Sequence, residues 1–350
     1  MRKKRRPAKP TRFIAKTLIY ADHDDSDDDA DDNNIFISNQ FLNDDVIYEI
    51  LSFDNDFKFI VMNCALVSKQ WFRVILERLK QLAVRIDIGK MSRVQGQFLE
   101  NIASVKALNA INHLIQYRDA FKLMKGLTTF DISYTYVHDR EAKIISEMTQ
   151  LTSLNVSNSI RIKKSIAYFR EMNNLTCLNI GNNGIGVECA KHVSEMKQLT
   201  ILHICGNGIK FEGAKFISEL QQLTKLDVSS NNIGEQGAKY ISQLKQLTNL
   251  DIYSNRIGAQ GAKHISEMKQ LTRLNISYND INVEGAKYIS EMKQLINLNI
   301  TKNNIGDEGA RHISGMNQLT NLFIGNNNIS NAGFQNICVF LVDTFVFLSE

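Results

Sequence analysis

Residues 223–246 read LTKLDVSSNNIGEQGAKYISQLKQ, and this stretch decides the fold. Leu223, Leu226 and Val228 sit at the spacing of a short strand that points apolar side chains one way, while Lys225, Asp227 and Ser229 point the other. Asn231 follows, where the chain leaves the strand and strands backbone groups that need partners if buried. Gly237 and Ala238 permit close backbone approach to a neighbour, and Ile241 and Leu244 continue the buried face at helical spacing. The apolar period therefore switches from two to about 3.6 within one unit, predicting one strand and one helix.

The same unit recurs. Leu-Thr or Leu-Ile pairs begin at Leu127, Leu151, Leu175, Leu199, Leu223, Leu247, Leu271, Leu295 and Leu319, each 24 residues after the last, with the form LxxLxIxxNxIGxxGAxxIxxMxx. Nine units without an insertion predict a stacked array, because one such coil is too small to bury its apolar side alone. Seven units keep the bend amide, at Asn183, Asn207, Asn231, Asn255, Asn279, Asn303 and Asn327. A short amide both donates and accepts, so these predict a ladder running from coil to coil. The first two units carry Thr135 and Ser159 there, and Arg161 stands where later units have Ile. Strands about 4.8 Å apart give nine of them a span on the order of 40 Å, a surface suited to a folded protein.

These residues resemble the leucine-rich-repeat family, in its ribonuclease-inhibitor-like branch, over residues 127 to about 340. The resemblance implies an α/β solenoid, a horseshoe with parallel strands on the concave side and helices on the convex side. The domain is read as 127–350. Beyond Ala332 its apolar run (Phe334, Ile337, Val339, Phe340, Leu341, Phe345, Phe347, Leu348) reads as a cap shielding the last coil; the rival, a membrane anchor, is opposed by its shortness and by Asp343.

Outward strand positions are free of the core and so are where a partner would sit. One line holds Lys225, Asn249 and Arg273, the next His203, Asp227, Asp251 and Phe323, and further lines add Tyr134, Tyr253, Tyr278 and Lys302. Aromatic residues and Arg anchor protein interfaces, so Tyr253, Arg273 and Tyr278, flanked by His203, Lys225, Asp227 and Asp251, form the candidate partner-binding patch. His192, His264 and His312 share one repeat position with Phe216, Tyr240 and Tyr288, which marks a ring on a helix surface and not a metal ligand.

Ahead of the repeats, residues 1–35 hold eight Lys or Arg between Arg2 and Lys16, then eight Asp between Asp22 and Asp32. Such a block buries no apolar surface and reads as a disordered tail; Arg2 to Arg6 with Lys9 admit a nuclear-import signal or a solvated run folding back on the Asp block. Residues 36–85 carry three short helical patterns: one capped by Asn43 with Asp44 and Asp45 in its first turn, one through Phe57, Ile60, Val61 and Cys64, and one after Ser68. Residues 86–126, with Phe98, Ile102, Val105, Leu108 and Ile111, read as an amphipathic helical connector covering the first repeat.

Within 36–85, FLNDDVIYEILSF (residues 41–53) and CALVSKQW (residues 64–71) resemble an F-box, with Asn43 in place of that family's usual proline. The resemblance implies a substrate receptor of a Skp-cullin-F-box ubiquitin ligase. Leu42, Val46, Ile47, Ile50, Leu51, Val67 and Trp71 would then face or support a Skp-type adaptor, and the repeats would hold an unknown protein substrate. The alternative is a freestanding repeat scaffold or inhibitor whose helical module is only a cap; regulation of a small GTPase is a third.

Composition agrees with a protein-binding role. Net charge is +4 over 350 residues, which gives no push towards nucleic acid. Cys64, Cys177, Cys189, Cys205 and Cys338 show no CxxC pair and no zinc rhythm with the seven His, which fits reduced thiols and a cytoplasmic or nuclear site. The N-terminus is charged where a secretory signal is apolar, and no apolar run reaches membrane-span length. No nucleophile elbow, phosphate loop or HExxH occurs, so neither an enzyme nor a bound cofactor is expected.

Overall fold

The computed structural model describes residues 84–86, 104–107, 125–159, 165–340 and 345–347, all within the larger of two units, Asn43–Glu350. Every expected adaptor-facing residue of the F-box-like module, and Arg161, lies outside them.

The described residues form a twelve-stranded sheet in strict chain order, with every neighbouring pair parallel. The strands are β1 Val84–Ile86, β2 Ser104–Ala107, β3 Thr129–Asp131, β4 Ser153–Asn155, β5 Cys177–Asn179, β6 Ile201–His203, β7 Lys225–Asp227, β8 Asn249–Asp251, β9 Arg273–Asn275, β10 Asn297–Asn299, β11 Asn321–Phe323 and β12 Phe345–Phe347. From β3 on, a helix follows each strand up to β11: α1 Asp139–Ser146, α2 Ile166–Phe169, α3 Gly186–Ser194, α4 Lys210–Ile217, α5 Gly234–Ile241, α6 Gly258–Ser266, α7 Asn282–Ser290, α8 Gly306–Ser314 and α9 Asn331–Phe340. Strands pack about 4.8 Å apart and helices 8–10 Å apart, so the array bends with its sheet inside.

Burial follows the repeat. In the unit from Leu223, Leu223, Leu226, Val228, Ile233, Ala238, Ile241 and Leu244 are all at most 3% exposed, as the alternation predicts. Gly234 opens α5 at φ +62°, the left-handed region in which glycine alone has no steric penalty, and this explains the Ile-Gly pair of the repeat.

Two side-chain ladders tie the coils together. Asn255 is fully buried; its Nδ2 donates to the carbonyls of Val228, Ile252 and Tyr253 at 3.0, 3.0 and 3.1 Å. Its Oδ1 accepts from the amides of Asn231 at 3.0 Å and Ile233 at 3.3 Å. Asn207, Asn231, Asn279 and Asn303 repeat the scheme. Where the sequence departs from Asn, hydroxyls stand in. Ser159 Oγ accepts from the Thr135 amide at 3.0 Å and donates to the Ile132 carbonyl at 2.9 Å, and the Ser159 amide donates to Asn183 Oδ1 at 2.7 Å. The Thr of each Leu-Thr pair forms the second ladder: Thr200, Thr224 and Thr248 each donate to the carbonyl of the Thr one coil earlier, at 3.1 to 3.2 Å.

At both ends the sheet runs on beyond the nine repeats. Val105, expected in a helical connector, lies in β2, paired with Phe130 of β3; residues 87–103 and 108–124 of that connector lie outside the described residues. An open edge at β3 would present a row of unpaired backbone groups, and strand pairing answers that need where the spacing of apolar residues alone suggested a helix. At the other end, Phe345 and Phe347 belong to the apolar run expected to cap the last coil. Phe345-Val346-Phe347 fills the strand slot of a further coil, paired with β11, and leaves Phe345 72% and Phe347 45% exposed. Among the described residues no helix is long and apolar enough to cross a membrane.

Candidate functional site

From β4 to β11 the sheet face opposite the helices carries two side-chain columns from each strand, because the central Leu points into the core. Residues of a column stand in register: Lys225, Asn249 and Arg273 in one, His203, Asp227, Asp251 and Asn275 in the other. All seven expected partner-binding residues lie on this face or on the turn leaving it. Lys225 and Arg273 are exposed, while His203, Asp227, Asp251 and Tyr253 are half-buried.

Local chemistry divides this patch. At the strand exits the second column closes turns on its own backbone: Asp227 Oδ1 accepts from the Ser229 amide and Asp251 Oδ1 from the Tyr253 amide, both at 3.0 Å, as Asn275 does for Ser277. These acids therefore have a folding role whether or not a partner uses them. Tyr253 and Tyr278 meet edge to face with ring centroids 5.0 Å apart, and Lys302 Nζ stands 4.7 Å above the Tyr278 ring. Tyr278 is 41% exposed and takes φ 57°, a turn conformation that Ser230 and Ser254 adopt in their own units at φ 54° and 55°. The backbone here does not require a tyrosine. An exposed ring clamped by a second ring and a cation is a stiff anchor.

The acids differ in charge state. Burial works to raise Asp227, but hydrogen bonds from His203 and Ser229 outweigh it and hold the carboxyl below its usual value. His203 Nδ1 lies 3.7 Å from Asp227 Oδ2. Burial raises Asp251 and prevails over the bonds from Tyr253 and Asn275. A carboxyl whose pKa is raised by folding adds no penalty at pH below its unfolded value and an increasing one as pH climbs through its folded value. Relative to D251N, which retains an Oδ1 for the turn, the native chain should thus lose stability between acid and neutral pH. Urea unfolding of both proteins at several pH values measures this; a difference that is flat or grows with pH would refute it.

Cys205 joins His203 and Asp227 in this neighbourhood, but burial and then the Asp227 carboxylate push its thiol up to about 11. Nucleophilic cysteines need the opposite shift. Among the described residues no group of three or more His, Cys, Asp or Glu is placed to hold a metal ion.

Sequence reasoning missed a third feature. Phe323 and Phe347 stack with centroids 4.3 Å apart and planes within 8°, and exposed Phe345 lies on the same strand as Phe347. The period-two alternation of Phe345-Val346-Phe347 was the available signal.

Comparison with known proteins agrees with this architecture. The leucine-rich repeat region family matches residues 119–340. Among solved structures, an internalin of Listeria monocytogenes superposes with a TM-score of 0.51 at 17% identity, covering 87% of this chain and 98% of its own. A leucine-rich-repeat protein of Leptospira interrogans gives 0.49 at 20% identity, over 72% of this chain and 62% of its own. No curated protein sequence matches the chain. The family match spans well over half of the 350 residues, and with the unbroken parallel sheet and its asparagine ladder it makes the chain a member of the leucine-rich repeat family.

Proposed function

We propose that this protein is a non-catalytic receptor that holds another protein on the open face of its sheet and brings it to a Skp-cullin-F-box ubiquitin ligase. One observation supports the receptor half above all: twelve strands in register present an uninterrupted face on the order of 50 Å long, with a rigid Tyr253, Tyr278 and Lys302 cluster on its rim. The ligase half rests on the F-box resemblance at residues 41–53 and 64–71. Such a receptor performs no chemistry and raises the effective concentration of its cargo near a ubiquitin-charged enzyme. That role would place it in the cytoplasm or nucleus.

Co-purification of the full chain with a Skp-type adaptor tests the ligase half. The native chain should retain the adaptor, and Ile50→Asp or Trp71→Ala should weaken retention by about tenfold or more, the scale of one interface anchor. Failure of the native chain to retain it where established F-boxes do would remove the ligase reading. One observation favours a freestanding scaffold instead: β1 and β2 carry the sheet ahead of the first repeat, so the preceding module would serve as a cap. Deleting residues 36–83 separates the two. Loss of hydrogen-exchange protection in β3 to β5 would favour the scaffold; an intact array without adaptor binding would favour the ligase.

A further inference from the structure

The end of the sheet at β12 has a chemistry unlike the rest of the array. The Phe345 amide donates to the Thr320 carbonyl at 2.9 Å and the Phe347 carbonyl accepts from the Ile324 amide at 3.3 Å, so these groups face the preceding coil. Backbone groups of a strand alternate between its two sides, so the amide and carbonyl of Val346 point to the far side, where no strand stands among the described residues. An apolar edge pairs readily with another chain when no charge blocks it, and this one is three residues long. Here charge is missing: between Arg311 and Asp343 the sequence holds no Asp, Glu, Lys or Arg. On the open face beside the edge lie Phe345, 72% exposed, and the stacked Phe323 and Phe347, 40% and 45% exposed.

We propose that β12 is a self-association edge, pairing antiparallel with β12 of a second copy of this chain about a two-fold axis through Val346. Such an axis makes Val346 face its own symmetry mate, and two residues opposite each other in a hydrogen-bonded antiparallel pair exchange both N–H···O bonds. Both outward groups of Val346 are thereby satisfied. The same register sets Phe345 opposite Phe347 of the other copy, twice, in the close non-hydrogen-bonded pairing where aromatic cross-strand contacts are strongest. The edge is therefore complementary to itself, as a closed two-fold contact requires. A charged partner strand would lose hydration against this neutral, apolar rim with no opposite charge in return; a second copy brings no like charge from residues 312–342. The dimer would join two open faces into one and double the valency of the receptor.

Sedimentation equilibrium of the full 350-residue chain tests the proposal. The native protein should show a concentration-dependent monomer–dimer equilibrium. Val346→Pro removes only the outward amide and spares the bonds to β11, and Phe345→Lys adds like charges across the axis; each should weaken the dimer by about tenfold or more. Tyr134→Lys, at an equally exposed aromatic on the far end of the array, should leave it unchanged. Because proline also constrains the backbone of its own strand, a second readout fixes the register. Mixing F345C chains with F347C chains should give covalent dimers on oxidation, and F345C alone should not. A strictly monomeric native chain, a dimer indifferent to both edge variants, or cross-linking of F345C to itself overturns the proposal.

Discussion

Replacing Asn255 by Asp should destabilise the repeat array by about 3 kcal/mol or more at neutral pH, and acidification should recover part of the loss. The amide is fully buried, and its Nδ2 faces the carbonyls of Val228, Ile252 and Tyr253. In N255D a carboxylate oxygen faces those three acceptors, and a buried polar group left without a partner costs about 1–3 kcal/mol. A buried carboxylate among carbonyls has a raised pKa, so its penalty is absent at pH below the unfolded value and grows as pH rises through the folded one. N255A should lose a similar amount at every pH, and N255S less, because Ser159 already shows a hydroxyl carrying part of the scheme. The Asn255 side chain joins its own coil to the preceding one, so the variants should also split a single unfolding transition into two. Denaturant unfolding followed by hydrogen exchange of the flanking units reads both effects. A loss below about 1 kcal/mol, the worth of one ordinary hydrogen bond, would show that the ladder does not couple the coils.

Gly261→Ala should cost stability where helix propensity alone says it should gain. Inside a helix Ala is favoured over Gly by about 1 kcal/mol. A Cβ on Gly261 would stand 2.6 Å from Cβ of Ile257 and 3.2 Å from Cβ of Ala238 on the neighbouring helix, and a Cβ has no flexible end to move aside. Overpacking of this kind costs about 1–3 kcal/mol, so after the propensity gain the expected net loss is up to about 2 kcal/mol. Gln260→Ala, one residue away on the exposed side, carries only the propensity change and should be neutral to slightly stabilising. Urea midpoints at constant slope distinguish the two. Gain of stability in G261A would mean that the α5–α6 contact relaxes freely and that the glycine column is not set by packing.

Most of this architecture was legible in the sequence because the rules that make it are local and repeated. A change of apolar period inside each 24-residue unit dictates strand then helix, and an asparagine at every bend implies a bonding ladder between coils. The outward columns were legible for the same reason: a strand exposes alternate residues, so Lys225, Asp227, Asp251 and Arg273 had to share a face once the strands were in register. What those residues do to one another was not legible. That Tyr253 touches Tyr278 under Lys302, or that burial raises Asp251 while His203 holds Asp227 down, depends on distances across coils of a few ångströms, which no spacing rule contains.

By itself, then, the sequence determined the coil, its period and its direction of stacking, because each is fixed by interactions within one unit or between identical units. Only the tertiary structure decided what happens where identity fails. At the first units Thr135 and Ser159 keep the ladder with hydroxyls, since a hydroxyl can accept from a stranded amide and donate to a stranded carbonyl. At the two ends β1, β2 and β12 extend the sheet, because an exposed row of backbone groups is satisfied by another strand more fully than by a helix laid across it.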